Sequence, residues 1–122
     1  MELDFVIDKI TESIEDSSTG EILKTLVLPL TQTDLKEITK QNGWIFDWKL
    51  EFSKAERHLF KLVSEKEHKI IQGLVSLRKD EGFVFMHLIE SAPFNIGKSK
   101  KYLGVAGNLT AYVRRLKWRY LQ

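Results

Sequence analysis

Three apolar runs in the second half of the chain lie so close together that they restrict the possible folds. The runs cover residues 58–64, 69–78 and 82–91, and only the short charged segments 65–68 and 79–81 separate them. Connections this short join antiparallel neighbours, because a parallel pair needs a crossover of a dozen residues or more. The sequence therefore predicts an antiparallel sheet built from consecutive strands.

The segments before these runs predict further elements. Residues 3–14 and 22–28 are apolar-rich and flank a polar loop that ends in glycine, which predicts an N-terminal antiparallel hairpin. Residues 31–41 carry two apolar residues at helical spacing and are followed by Asn-Gly, which predicts a short capped helix of two or three turns.

Alternation and helical spacing indicate the remaining elements. Residues 44–52, WIFDWKLEF, alternate apolar and polar side chains and predict a strand whose polar face carries Asp47 and Glu51. Residues 103–121 predict an amphipathic helix whose apolar stripe consists of Val105, Leu109, Tyr112, Val113, Leu116 and Tyr120. The predicted class is α+β, a curved antiparallel meander with helices packed on it.

Composition limits the kind of protein. A chain of 122 residues that is 43% hydrophobic suits a single domain with a core, and the lack of cysteine excludes disulfides, thiolate nucleophiles and Cys-based metal sites. The charged N-terminal residues do not resemble a signal peptide, and no apolar run approaches the length of a membrane span. We therefore expect a cytoplasmic protein without a membrane partner.

Charge is divided unevenly along the chain, although the net charge is only +2. Residues 1–90 contain all 17 acidic residues and 12 basic ones, whereas residues 91–122 contain seven basic residues and no acidic ones. This asymmetry predicts an anionic partner near the C-terminal end.

The junction between the last predicted strand and the last predicted helix is rich in glycine and lysine. Gly104 and Gly107 allow close approach of a ligand, and the first amides of a helix together with its dipole attract anions. Lys98, Lys100 and Lys101 add full charges beside them. The alternative is that the glycines serve only a loop and a close helix-to-sheet contact.

The same junction resembles a known family. Residues 101–109, KYLGVAGNL, resemble the acetyl-coenzyme A motif of the GCN5-related N-acetyltransferase superfamily, with Lys101 where Gln or Arg is usual. The upstream segments WIFDWKLEF, IIQGLVSL and HLIESAPFN are similar to a bacterial subgroup of that superfamily, so the resemblance covers residues 44–113. It implies that residues 1–122 form one domain with a mainly antiparallel mixed sheet.

The resemblance also implies roles for individual residues. Residues 101–109 are expected to hold the coenzyme A pyrophosphate, mainly through backbone amides, and pantetheine is expected to pair with the strand backbone at 88–92. Glu90 is expected to act as base for the acceptor amine, because an ammonium must lose a proton before it attacks the thioester. The residues implied in coenzyme binding are Leu88, Ile89, Ser91, Ala92, Lys101, Gly104, Val105, Ala106, Gly107 and Asn108.

The resemblance implies an N-acetyltransferase-like protein that uses acetyl-coenzyme A as co-substrate, without a metal and with an unidentified amine as acceptor. It also implies that the chain covers only the N-terminal two-thirds of the family fold and ends after the coenzyme-binding helix. The alternative function is therefore a catalytically inactive module that acts through self-association or protein interaction, since an incomplete sheet leaves an open edge. We expect a homo-oligomer in either case.

Other chemical groups give weaker signals. His58, His68 and His87 lack metal-ligand spacing, and Ser91 lacks the flanking glycines of a hydrolase nucleophile. The basic helix end, which contains Arg114, Arg115, Lys117 and Arg119, suits a solvated face better than a nucleic-acid surface.

Overall fold

A computed structural model describes residues 12–121, with side chains for residues 12–116. The described part is an α+β structure with six strands and two α-helices, which confirms the predicted class. The strands are β1 Ser13–Asp16, β2 Ile22–Pro29, β3 Arg57–Ser64, β4 Ile71–Asp80, β5 Phe83–Ser91 and β6 Tyr102–Leu103. The helices are α1 Trp48–Ser53 and α2 Val105–Leu121, and single 3-10 turns cover Thr33–Lys36 and Pro93–Asn95.

The strands form one curled sheet in the order β5-β4-β3-β2-β1-β6. All of the strand pairs in the described residues are antiparallel, so the three consecutive strands predicted from residues 58–91 are confirmed. A register shift between β4 and β5 pairs Ser76 with Leu88 and Leu77 with Met86, which leaves His87 as an extra residue in β5.

The predicted N-terminal hairpin is confirmed where the structure describes it. β1 pairs antiparallel with β2, and the carboxylate of Asp16 accepts hydrogen bonds from Ser18 and Thr19 in the turn between them. These hydrogen bonds hold the pKa of Asp16 below its usual value. Residues 3–11 of the predicted first strand lie outside the described part of the chain.

The predicted strand at residues 44–52 is wrong, because this segment forms α1. Asp47 caps the helix by accepting a hydrogen bond from the Leu50 amide at 3.1 Å. Trp44 and Trp48 are four residues apart and both are buried, so the apolar pattern also has a helical period. Glu51, which was placed on a polar face, lies buried against the sheet.

The predicted helix at residues 31–41 is also wrong in extent, because only the single 3-10 turn forms there. The apolar spacing is nevertheless correct, since Leu35 and Ile38 are both buried. Asp34 lies in the first part of this turn and forms an ion pair with Lys61 of β3 at 2.8 Å. Burial raises the pKa of Asp34, but the hydrogen bonds from Lys61 and Thr31 lower it by more.

The predicted C-terminal helix is confirmed as α2. Val105, Leu109 and Val113 of its predicted stripe are buried, and Tyr112 and Leu116 pack against them. The side chain of Tyr120 lies outside the described residues. The short strand β6 immediately before this helix pairs with β1 and was not predicted.

Two hydrophobic clusters lie in the domain and correspond to the two helices. The first cluster joins α2 to the sheet through residues such as Leu62, Val75 and Val84. The second joins Trp44 and Trp48 to Leu74 and the 3-10 turn. Within the described residues, no helix is long and apolar enough to cross a membrane.

Candidate functional site

One buried amide side chain, that of Asn108, fixes the start of α2 to β1 and β2, near the β6 edge of the sheet. Asn108 donates from Nδ2 to the backbone oxygens of Ser13 at 2.6 Å and Gly104 at 2.8 Å, and its Oδ1 accepts from the Thr25 hydroxyl at 2.9 Å. Gly104 has a φ of +92°, a left-handed conformation that suits glycine, and its carbonyl accepts the Asn108 amide hydrogen. Asn108 therefore has a clear structural role.

Gly73 of β4 marks where the first turn of α2 meets the end of β5. A Cβ atom at this position would lie 2.8 Å from Val105 Cγ1, 3.0 Å from Leu109 Cδ1 and 3.2 Å from the Glu90 carbonyl oxygen. The structure thus brings together two segments that the resemblance implies for one coenzyme site, the end of β5 and the start of α2.

Gly107, in contrast, has open space around it. A Cβ atom at Gly107 would meet nothing within 4 Å, and Ala106 and Gly107 are both exposed in the first turn of α2. Close helix-to-sheet packing therefore explains Gly73 but not Gly107. The first-turn amides of a helix have no intrahelical acceptor, so this turn presents donors toward its exposed side.

Three exposed lysines precede this turn. The loop that carries them is attached to the β1–β2 turn, because Ser17 donates its backbone amide to the Lys101 oxygen at 2.9 Å and its hydroxyl to the Lys100 oxygen. The Lys101 ammonium lies 5.8 Å from the centre of the Tyr102 ring. Glu15 of β1 is the cross-strand neighbour of Leu103, so a carboxylate also lies at this edge.

The predicted coenzyme residues divide by exposure. Lys101, Gly104, Ala106 and Gly107 are exposed, whereas the side chains of Ala92, Val105 and Asn108 are buried. Leu88, Ile89 and Ser91 are half-buried on β5, which pairs only with β4 among the described strands. Backbone contacts of the implied kind therefore remain open at the β5 edge.

Glu90, the implied base, is 9% exposed and holds the segment that leads into α1. Its Oε2 accepts from the Ile45 amide at 2.6 Å, and its Oε1 accepts from the Phe46 amide at 3.2 Å and from Trp48 Nε1 at 2.8 Å. If Oε1 were protonated, Glu90 would lose one of the two hydrogen bonds that this oxygen accepts, from the Phe46 amide or from Trp48 Nε1.

A second carboxylate, at Glu51, was not predicted as part of a site. It is 3% exposed, and its Oε2 lies 2.6 Å from the Ser76 hydroxyl, 2.8 Å from His87 Nδ1 and 3.1 Å from Arg57 Nε. Burial raises the pKa of Glu51, but the hydrogen bonds from Ser76 and His87 and the nearby positive charges lower it by more.

No local sequence signal identifies this second cluster, because its members come from α1, β3, β4 and β5. The predicted strand at 44–52 also puts Glu51 on its polar face, away from the large apolar side chains. In the part of the chain that the structure describes, no group of three or more acidic or histidine side chains is placed to hold a metal ion.

Comparison with known proteins returns no match: no family model, no curated protein and no solved structure is significantly similar to the chain.

Proposed function

We propose that the chain is an N-acetyltransferase-like protein that binds acetyl-coenzyme A at the start of α2 and transfers the acetyl group to an amine. The observation that supports this most directly is the open space at Gly107. Glycine costs helix stability relative to alanine, about 1 kcal/mol in a helix interior, and no packing contact requires it here. A glycine at position 107 would allow a phosphate group to approach the helix backbone closely.

The remaining coenzyme contacts follow from the neighbouring elements. The pyrophosphate would bind the amides of the first turn, and Lys101 would supply a cation. The pantetheine arm would extend along the backbone of β5 at Leu88, Ile89 and Ser91 and continue to Ala92, just after the strand. This segment meets the α2 turn near Gly73. The reaction itself forms an amide bond, breaks the thioester C–S bond and releases coenzyme A.

The experiment is an isothermal titration of the purified chain with acetyl-coenzyme A. We expect binding that weakens at least tenfold in a Gly107→Leu variant, because the added side chain covers the exposed turn without disturbing a packed neighbour. A Lys101→Ala variant should also weaken binding, by several-fold to tenfold, because it removes a charge-assisted contact.

The matched control is Lys66→Ala, which removes an exposed lysine from the β3–β4 turn. This variant should bind as the wild type does. An absence of heat with millimolar acetyl-coenzyme A, or equal affinity in the wild type and Gly107→Leu, would overturn the proposal.

One observation favours a second function, self-association through β5. Phe83, Phe85 and Met86 are each about 40% exposed on this strand, whose other edge has no partner strand in the described residues. An exposed apolar edge favours pairing with another strand. Sedimentation velocity should show a concentration-dependent dimer that Phe85→Lys abolishes. A protein that is still monomeric at about 1 mM, where even a contact of about −4 kcal/mol would be half formed, would contradict it.

A further inference from the structure

His87 has the geometry of an oriented base. Its side chain is 40% exposed on β5, and its Nδ1 lies 2.8 Å from a buried Glu51 oxygen. A carboxylate accepts hydrogen bonds but donates none, so the neutral ring must carry its proton on Nδ1. Nε2 of the neutral ring is then the unprotonated nitrogen, which is the state that a general base requires.

The surroundings fix this arrangement from several directions. Glu51 extends from α1 and is held by Ser76 of β4 and by Arg57 of β3. Lys54, at the end of α1, lies 3.5 Å from the other Glu51 oxygen. The charged groups that face the His87–Glu51 pair are therefore two cations, Arg57 and Lys54.

The extra residue in β5 explains why His87 reaches α1. Because the register shifts between Ser76 and Leu77, His87 has no cross-strand partner in β4. A bulge changes the direction of a side chain relative to a regular strand. His87 thus projects from the strand on which pantetheine is proposed to lie, three residues before Glu90.

We propose that His87 is the general base that accepts the proton of the acceptor ammonium, an inference that depends on the proposed acetyl transfer. The proton moves from the ammonium to His87 Nε2, and the freed amine attacks the thioester carbonyl carbon. The C–S bond then breaks, and the departing thiolate takes the second proton lost by the nitrogen. The products are an acetylated amine, coenzyme A and a protonated His87, which returns its proton to solvent.

This assignment leaves a distinct role for Glu90. Its carboxylate already accepts three hydrogen bonds that hold the start of α1, so it positions the helix that carries Glu51. Two carboxylates therefore connect α1 to β5. Glu90 extends from β5 to the start of α1, and Glu51 extends from α1 to His87 of β5.

The test begins with the tautomer of His87, measured by nitrogen-15 NMR of the wild-type protein in its neutral state. We expect the Nδ1–H form at His87, and the exposed His58 on β3 serves as the internal comparison. A neutral ring protonated mainly on Nε2 would overturn the assignment, whatever the chain binds.

The second measurement is acetyl transfer to a panel of primary amines, spermidine, Nα-acetyl-lysine and tryptamine, in the wild type and in His87→Gln. Glutamine still donates to Glu51, so the fold and acetyl-coenzyme A affinity should be kept while kcat falls about 100-fold or more. The acid limb of the wild-type rate should follow the ionisation of His87 observed by NMR. The control variant His58→Gln should keep the wild-type rate.

Retained turnover in His87→Gln would overturn the role of His87 while leaving the proposed function intact. Failure of the proposed function is a different result, because the wild type would then show no heat in the acetyl-coenzyme A titration.

Discussion

The close packing of α2 against Gly73 of β4 gives the sharpest test of the fold. Changing Gly73 to alanine adds a methyl group 2.8 Å from Val105 Cγ1 and 3.0 Å from Leu109 Cδ1. Carbon atoms in contact prefer about 3.5 to 4.0 Å, so both contacts are too close by about 0.5 Å or more. The valine has little rotamer freedom in a helix, and the Glu90 carbonyl at 3.2 Å belongs to the backbone.

The neighbours must therefore move for the methyl group to fit. Overpacking of this kind costs about 1 to 3 kcal/mol, and the lower chain entropy of alanine in the unfolded state returns about 0.4 to 1 kcal/mol. We expect Gly73→Ala to lower the free energy of unfolding by about 1 to 2 kcal/mol. With a slope near 1.5 kcal/mol per molar urea, the midpoint should fall by about 1 M.

The matched control is Gly107→Ala, which adds the same methyl group on α2 itself, at a position where nothing lies within 4 Å. It should leave stability unchanged or raise it by up to about 1 kcal/mol. Urea unfolding followed by tryptophan fluorescence measures both variants. A Gly73→Ala midpoint within 0.2 M (about 0.3 kcal/mol) of the wild type would show that α2 does not rest on this part of β4.

Three further predictions concern the buried polar groups. Glu51→Gln should lower the free energy of unfolding by about 2 to 3 kcal/mol at pH 7, because it removes the charge that accepts the hydrogen bonds from Ser76, His87 and Arg57. The folded state lowers the pKa of Glu51 below its ordinary 4.5, so this difference is full above that value and is lost as pH falls through the folded pKa. Urea midpoints that differ from the wild type by the same amount at pH 7 and at pH 3 would contradict this. Trp48→Phe should cost about 2 kcal/mol in the same assay because Glu90 loses a buried donor, and a loss below about 0.5 kcal/mol would refute this. Asn108→Asp cannot donate to Ser13, so hydrogen exchange of the β1 amides should accelerate at least tenfold, and unchanged protection would count against the contact.

The parts of the fold that depend on local pattern could be predicted from the sequence. Strands β3, β4 and β5 follow from apolar runs with short connections, and α2 follows from a long stripe with a period near 3.6. The segment 44–52 could not be assigned in this way, because its pattern satisfies both a strand and a short helix. Contacts from Glu90, about 45 positions away, hold the start of this helix.

The candidate sites, like the secondary structure, could be predicted only where they depend on a local sequence pattern. The glycines and lysines before α2 lie close together in the sequence, so their pattern is visible without a structure. Glu51, Arg57, Ser76 and His87 lie on four elements, and their contact depends on the helical conformation of residues 48–53 and on the extra residue in β5. These are tertiary effects, which local propensity does not determine.

The hydrogen bond from the Asn108 side chain to the Ser13 backbone oxygen has a consequence for the order of folding. It joins positions 95 residues apart, and β6 beside it pairs with β1, the first described strand. The strand β6 therefore joins the sheet only after all of the residues between β1 and β6 have been synthesised, while the hairpins of β3, β4 and β5 need only local contacts. Closure of such a distant pair is slow, because a long loop must be ordered before its contacts form. We expect the central hairpins to form before β1 pairs with β6.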